Sequence, residues 1–160
     1  EWRYGDGGGP GPIDAEDQVF YAELTTEQEV PQPTVMTDAN GDAVVYVNGD
    51  GTLSYEVILV DIQNVTGAHI HVAPAGEAGP VVVTLFTGEF STDDDGTGTL
   101  ATGMITDADL QGELEGMTLG DLLAEMEAGN TYVNVHTDQN PAGEIRGQLE
   151  LISGDSEEME

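Results

Sequence analysis

The chain has 160 residues, a length typical of one domain with a sizeable core. Its 32 Asp and Glu residues against two Lys and Arg give a formal net charge of −30, which argues against nucleic acid and anionic membranes as partners. The absence of cysteine excludes disulfides and thiolate metal sites, and no apolar run reaches the roughly 20 residues of a membrane span.

The acidic balance also predicts where the protein works. In dilute buffer, repulsion among carboxylates opposes the compact state, whereas molar salt shortens the Debye length to about 3 Å. We therefore expect a halophilic protein that folds in high salt. The alternative, an acidic disordered chain, conflicts with 38% apolar residues in ordered patterns and 22 glycines at turn-like positions.

Residues 1–17 are predicted to form an N-terminal tip and a Gly/Pro linker. Trp2, Arg3 and Tyr4 combine two aromatic anchors with a cation, and such residues are typical of interface hot spots. We expect this tip to mediate self-assembly into a homo-oligomer, or a filament if it docks on a different patch of the next copy. A disordered terminus is the alternative. The start at Glu1 rather than Met is what we expect of a mature secreted chain.

Residues 18–152 are predicted to be an all-β, Greek-key antiparallel β-sandwich, and residues 153–160 an acidic tail. About eight strand-like runs lie at 18–24, 43–48, 52–60, 66–73, 81–86, 98–105, 130–137 and 144–152. Asn48 to Gly51 is a strong hairpin signal. The inner faces are predicted to carry Val57, Leu59, Ile70, Val72, Val133, Val135, Ile145 and Leu149.

One short crossover helix interrupts the strands. Thr118 is the predicted N-cap, and Gly129 is the predicted end of the helix. Between them the apolar residues recur at i, i+3, i+4 and i+7, which predicts one buried stripe: Leu119, Leu122, Leu123 and Met126.

All three histidines lie in two alternating strand segments. In an extended strand, His69 and His71 share one face while Ile70 takes the other, and His136 is likewise out of phase with its apolar neighbours. If the two strands are neighbours, three imidazoles converge and form a set suited to copper or zinc. The alternative is a structural role, in which the histidines make hydrogen bonds to strand neighbours and carboxylates.

Arg146 and a group of oxygen-bearing residues are weaker candidates. Arg146 falls on the polar side of its strand, which predicts either an anchor for a carboxylate or anion or a structural ion pair. Asp38, Asn40 and Asp42 have the spacing of the start of a calcium loop, with a solvated turn as the alternative.

Several separated motifs, in order, resemble the CHRD domain family, named from chordin. The motifs are Val19 to Leu24, Glu29-Val30-Pro31, Ala68-His69-Ile70-His71 leading to Gly79-Pro80-Val81, Tyr132 to Thr137, and Pro141 to Leu149. The resemblance implies an extracellular β-sandwich module of secreted and surface proteins over residues 18–152. 

The histidine motifs are also similar, more weakly, to copper/zinc superoxide dismutase. That similarity implies copper ligands at His69, His71 and His136, with Arg146 guiding an anionic substrate. No histidine remains to bridge copper and zinc, and the disulfide is absent.

Together these features predict a secreted, non-enzymatic cell-surface protein that self-assembles and carries a three-histidine metal site. The alternatives are a monomeric extracellular copper- or zinc-binding module and a superoxide dismutase-like metalloenzyme.

Overall fold

The structure, a computed structural model, describes residues 18–93 and 96–153. Nine strands and one α-helix follow in chain order: β1 Val19–Leu24, β2 Asn40–Val47, β3 Leu53–Val60, β4 Val65–Val72, β5 Val81–Phe90, β6 Thr97–Ile105, α1 Leu119–Glu127, β7 Thr131–Thr137, β8 Ile145–Gln148 and β9 Glu150–Ser153. Two short 3-10 turns, Asp107–Asp109 and Gly112–Leu114, lie between β6 and α1.

The strands form two antiparallel sheets, which confirms the predicted all-β sandwich. A five-stranded sheet has the order β6-β3-β2-β1-β9, and a four-stranded sheet has the order β5-β4-β7-β8. The β2–β3 connection is the predicted hairpin, in which the Gly51 N–H donates to the Asn48 carbonyl at 3.0 Å. Gly51 has φ +89°, a conformation that glycine adopts without strain.

Alternating apolar side chains from both sheets fill the core. Seven of the eight predicted inner-face residues are buried, and Val72, near the end of β4, is half-buried against the others. The histidines lie on the opposite face of the four-stranded sheet from Ile70, because successive side chains of a strand point to opposite faces.

The helix carries the chain from the five-stranded sheet back to the four-stranded one. Its N-cap is Thr118, whose backbone N–H donates to the Asp121 carboxylate at 3.1 Å. Leu122 and Met126 are fully buried. Gly129, at φ +81°, follows the last turn as predicted.

The run predicted as a single strand over 144–152 is divided between the two sheets. Strand β8 pairs with β7, whereas β9 pairs with β1 on the other side of the core. Leu149 lies at the crossing, where its N–H donates to the Thr131 carbonyl at 3.0 Å. Inward-facing residues of both sheets point at the same core, so apolar alternation continues unbroken and hides the change of sheet.

Glu144 is a buried acceptor that ties the loop before β2 to the turn after β7. Its carboxylate accepts hydrogen bonds from the hydroxyls of Thr37 and Thr137, each at 2.7 Å. It also accepts from the side-chain amides of Gln139 at 2.9 Å and Asn140 at 3.1 Å. Burial opposes ionisation, but the four donors together hold the pKa of Glu144 below its ordinary value. The ionised carboxylate therefore stabilises this end of the sandwich.

We expect Glu144→Gln to lower the free energy of unfolding at pH 7 by about 2–3 kcal/mol, because an amide offers one acceptor oxygen to four donors. Because the pKa of Glu144 is depressed in the folded state, the ionised carboxylate contributes its full stabilisation above the ordinary pKa of 4.5. This stabilisation is lost as the pH falls through the lower folded-state pKa. The difference between variant and wild type should therefore shrink in acid. Denaturant titrations in high salt at pH 7 and pH 3 measure the loss of stability and its decrease in acid. The control is Glu150→Gln, at an exposed position. Equal losses in the two variants would contradict this role.

Candidate metal centre

The histidines converge because β4 and β7 are adjacent in the four-stranded sheet. The antiparallel register places Gly67 opposite His136, His69 opposite Asn134, and His71 opposite Tyr132. Because successive side chains of a strand point to opposite faces, the side chains at these positions of both strands share the same outer face of the sheet. The condition for convergence of the three histidines, that their two strands are neighbours, is therefore met.

The three imidazoles form a compact cluster. Ring centroids are separated by 5.1 Å for His69–His136, 5.8 Å for His69–His71 and 6.4 Å for His71–His136. One nitrogen from each ring lies within 4.8 Å of the other two. Among residues 18–93 and 96–153, this is the only group of three or more His, Cys, Asp or Glu side chains arranged in this way.

Backbone carbonyls orient two of the rings. His71 Nδ1 lies 2.8 Å from the Gly79 carbonyl oxygen, and His136 Nδ1 lies 3.0 Å from the Pro141 carbonyl oxygen. A carbonyl only accepts, so each Nδ1 carries the proton and each Nε2 keeps its lone pair. His71 Nε2 and His69 Nδ1 are buried without a hydrogen-bond partner. The cluster thus holds unshared nitrogen lone pairs in the arrangement that metal-binding histidines adopt.

The electrostatics keep the rings neutral. Burial, followed by repulsion from His136 and His71, lowers the pKa of His69 to about 4. Burial is also the main cause that lowers the pKa values of His71 and His136. Neutral imidazole is the form that coordinates a metal.

Tyr132 and Arg146 extend the cluster away from the histidines. The Tyr132 ring stacks on the His71 ring, with the two centroids 4.7 Å apart and an interplanar angle of 7°. The central guanidinium carbon of Arg146 lies 3.4 Å from the centroid of the same Tyr132 ring. Arg146 is only 2% exposed and donates to the Pro74 carbonyl at 3.2 Å and to Gln148 at 3.3 Å. These contacts give Arg146 a position inside the protein, on the face predicted for it.

Gly79 supports both His71 and Tyr132. Its carbonyl accepts from His71, and its N–H donates to the Tyr132 hydroxyl at 3.1 Å. A Cβ at this position would overlap the Val72 carbonyl oxygen. Glycine is therefore required for the 74–79 loop to approach β4 closely enough to hold the His71 ring.

Glu29 and Asn134 complete the buried polar layer. Neither was among the predicted site residues, and Glu29 appeared only within a family motif. Glu29 is 4% exposed, and burial raises its pKa to about 7 against the opposing effects of Arg146 and the Asn134 amide. Its carboxylate lies where a side chain at Gly143 would be, so this glycine also makes room for the site. Asn134 could have been found from its strand phase, which it shares with Tyr132 and His136. Glu29 lies in an irregular segment and carries no such local signal.

The predicted calcium-binding residues do not form a loop, because two of them lie in a strand. Asn40 and Asp42 belong to β2, where both are exposed on one face, and the Asp42 carboxylate accepts the Tyr21 hydroxyl. Asn40 Nδ2 donates to the Asp38 carbonyl at 3.1 Å. Calcium binding by Asp38, Asn40 and Asp42 stays a prediction.

The predicted assembly residues Trp2, Arg3 and Tyr4 lie outside the described residues, as does most of the predicted acidic tail. Self-assembly therefore stays a prediction from sequence. Within the described part of the chain, no helix has both the length and the apolar character needed to cross a membrane.

Comparison with known proteins identifies the domain. Chordin of Xenopus laevis is 27% identical over 127 residues, an alignment that covers 74% of this chain and 12% of chordin. The chain therefore spans about one eighth of that relative's length. No solved structure matches it. Residues 20–149, which include every strand residue that carries the histidine cluster, match the CHRD domain, and the chain belongs to the CHRD domain family.

Proposed function

We propose that this protein is an extracellular CHRD module that binds one copper or zinc ion through His69, His71 and His136. The observation that carries the proposal is the approach of three histidine nitrogens to within 4.8 Å of one another. Two further features support it: backbone carbonyls fix the Nδ1 protons of two rings, and buried nitrogen atoms of His69 and His71 have no partner.

Copper and zinc suit this site because its donors are neutral imidazoles. Both ions favour nitrogen ligands, and zinc–nitrogen bonds are about 2.0–2.1 Å long. In a tetrahedral site, such bonds set two nitrogens about 3.4 Å apart, so ligation draws the rings closer by up to about 1.4 Å. His69 is half-buried, and its Nδ1 has no partner, so its ring can rotate to supply this movement, whereas backbone carbonyls hold His71 and His136.

An extracellular location is part of the proposal because the family resemblance implies a module of secreted and surface proteins. The net charge of −30 fits a saline medium, in which salt screens the carboxylates. Assembly through the N-terminal tip receives no support from the described residues and does not enter the proposal.

The pH dependence of binding tests the centre. Because the folded-state pKa values of all three histidines lie below 6.5, protons compete with the metal only in more acidic solution than for exposed histidines. We expect the zinc affinity of metal-stripped protein to be highest above pH 6.5, and to fall as the pH drops from there towards about 4, the pKa of His69. Calorimetric titration in a non-coordinating high-salt buffer measures it, with elemental analysis giving one ion per chain. A protein that binds no copper or zinc at pH 7.5 refutes the proposal.

A further inference from the structure

Asn134 occupies the middle of the histidine cluster. On β7 it lies between Tyr132 and His136, and on β4 its cross-strand partner is His69. Gly67, opposite His136, contributes no side chain, and Arg146 is the partner of Asn134 on β8. The outer face around this point is therefore formed by the three imidazoles, the Asn134 amide and the Arg146 side chain. Asn134 is 4% exposed, and its Oδ1 is buried without a hydrogen-bond partner.

The two sides of the Asn134 amide have different neighbours. The amide lies within hydrogen-bonding reach of both the Glu29 carboxyl and the His71 ring. When Glu29 is ionised, its carboxylate can only accept, so the NH2 group of Asn134 turns towards Glu29. Oδ1 then faces the His71 ring.

This arrangement sets two acceptors against each other. The Nδ1 proton of His71 is donated to the Gly79 carbonyl, so Nε2 of the neutral ring presents a lone pair. Oδ1 of Asn134 presents lone pairs as well, and neither atom has a partner. Two buried acceptors with no proton between them are unfavourable, and a cation bound between them would satisfy both.

We propose that Oδ1 of Asn134 is the fourth protein ligand of the metal centre, beside the nitrogens of His69, His71 and His136. Copper and zinc both accept an oxygen donor in a set otherwise made of imidazoles. Donation from the amide to an ionised Glu29 would turn the oxygen, rather than the nitrogen, of Asn134 towards the ion. This inference rests on the proposed three-histidine site and adds the residue that completes its coordination.

The experiment compares three variants of the full chain, each stripped of metal and titrated with Cu²⁺ and Zn²⁺ in high salt. Asn134→Leu keeps the approximate side-chain volume and removes the oxygen, whereas Asn134→Asp keeps an oxygen donor. Asn130→Leu is the matched control, because Asn130 also donates to a carboxylate, that of Glu125 at 3.2 Å, just before the start of the same strand. Circular dichroism melts establish that each variant is folded.

We expect Asn134→Leu to weaken the affinity by at least about 10-fold, and Asn134→Asp to retain it within about 10-fold. The Cu²⁺ electron paramagnetic resonance spectrum should change in Asn134→Leu and stay unchanged in Asn130→Leu. The assignment of Asn134 would be overturned by unchanged affinity in Asn134→Leu, by an unchanged spectrum, or by equal weakening in Asn134→Asp. Each of these results would leave the three-histidine site standing.

If Asn134→Leu does not fold, Asn134→Asp decides the question through its spectrum, which must differ from that of wild type if residue 134 contacts the ion. Absence of binding by the wild-type protein would instead refute the proposed function itself.

Discussion

The His71→Ala variant should bind copper and zinc at least about 100-fold more weakly than the wild-type protein. Removing a residue that only supports a ligand costs about 10–100-fold in affinity, so removing a ligand should cost more. His71 is the best choice among the three, because the Gly79 carbonyl and the stacked Tyr132 ring hold it in one orientation.

Calorimetric titration of metal-stripped protein measures this loss, and the variant contains its own control for unspecific binding. It keeps all 32 acidic residues, so any binding by surface carboxylates persists and appears as a weak background in both proteins. Mg²⁺, which prefers oxygen ligands, should bind the two proteins equally. Equal Zn²⁺ affinity in the variant and the wild type would show that the histidines serve only a structural role.

The Ile145→Ala variant should lose about 2–5 kcal/mol of unfolding free energy, through lost burial and the remaining cavity. Ile145 is fully buried at the start of β8, opposite Val135. Its neighbour Arg146 belongs to the polar layer behind the histidines, so a shift of β8 should also disturb Tyr132. Denaturant titration in high salt measures the loss.

Ile152→Ala is the matched control, because it makes the same change seven residues away from Ile145 at a side chain that is 59% exposed. A substitution at such a site should change stability by no more than about 0.5 kcal/mol. If the two variants unfold at the same denaturant concentration, the inward orientation of Ile145 is wrong.

The sequence by itself determined the features that depend on local periodicity. Alternation with a period of two placed Ile70 on the core face and His69 and His71 on the other, because side-chain direction along a strand is a local property. The same reasoning located the β2–β3 hairpin, and Thr118 and Gly129 marked the ends of the helix, because turn and capping preferences act within a few residues.

Tertiary structure decided which strands are neighbours and what covers the polar face. The pairing of β4 with β7 joins segments separated by 59 residues or more, from Val72 to Thr131 at the nearest, and it places His136 and Asn134 beside His69. Glu29 reaches this layer from an irregular segment after β1, and Arg146 is buried because the loop at Pro74 and the Tyr132 ring enclose it.

The division of the last strand at Leu149 is likewise nonlocal, since both sheets share one core and therefore one apolar pattern. No local pattern encodes these contacts, because each depends on the free energy gained when distant segments pack together.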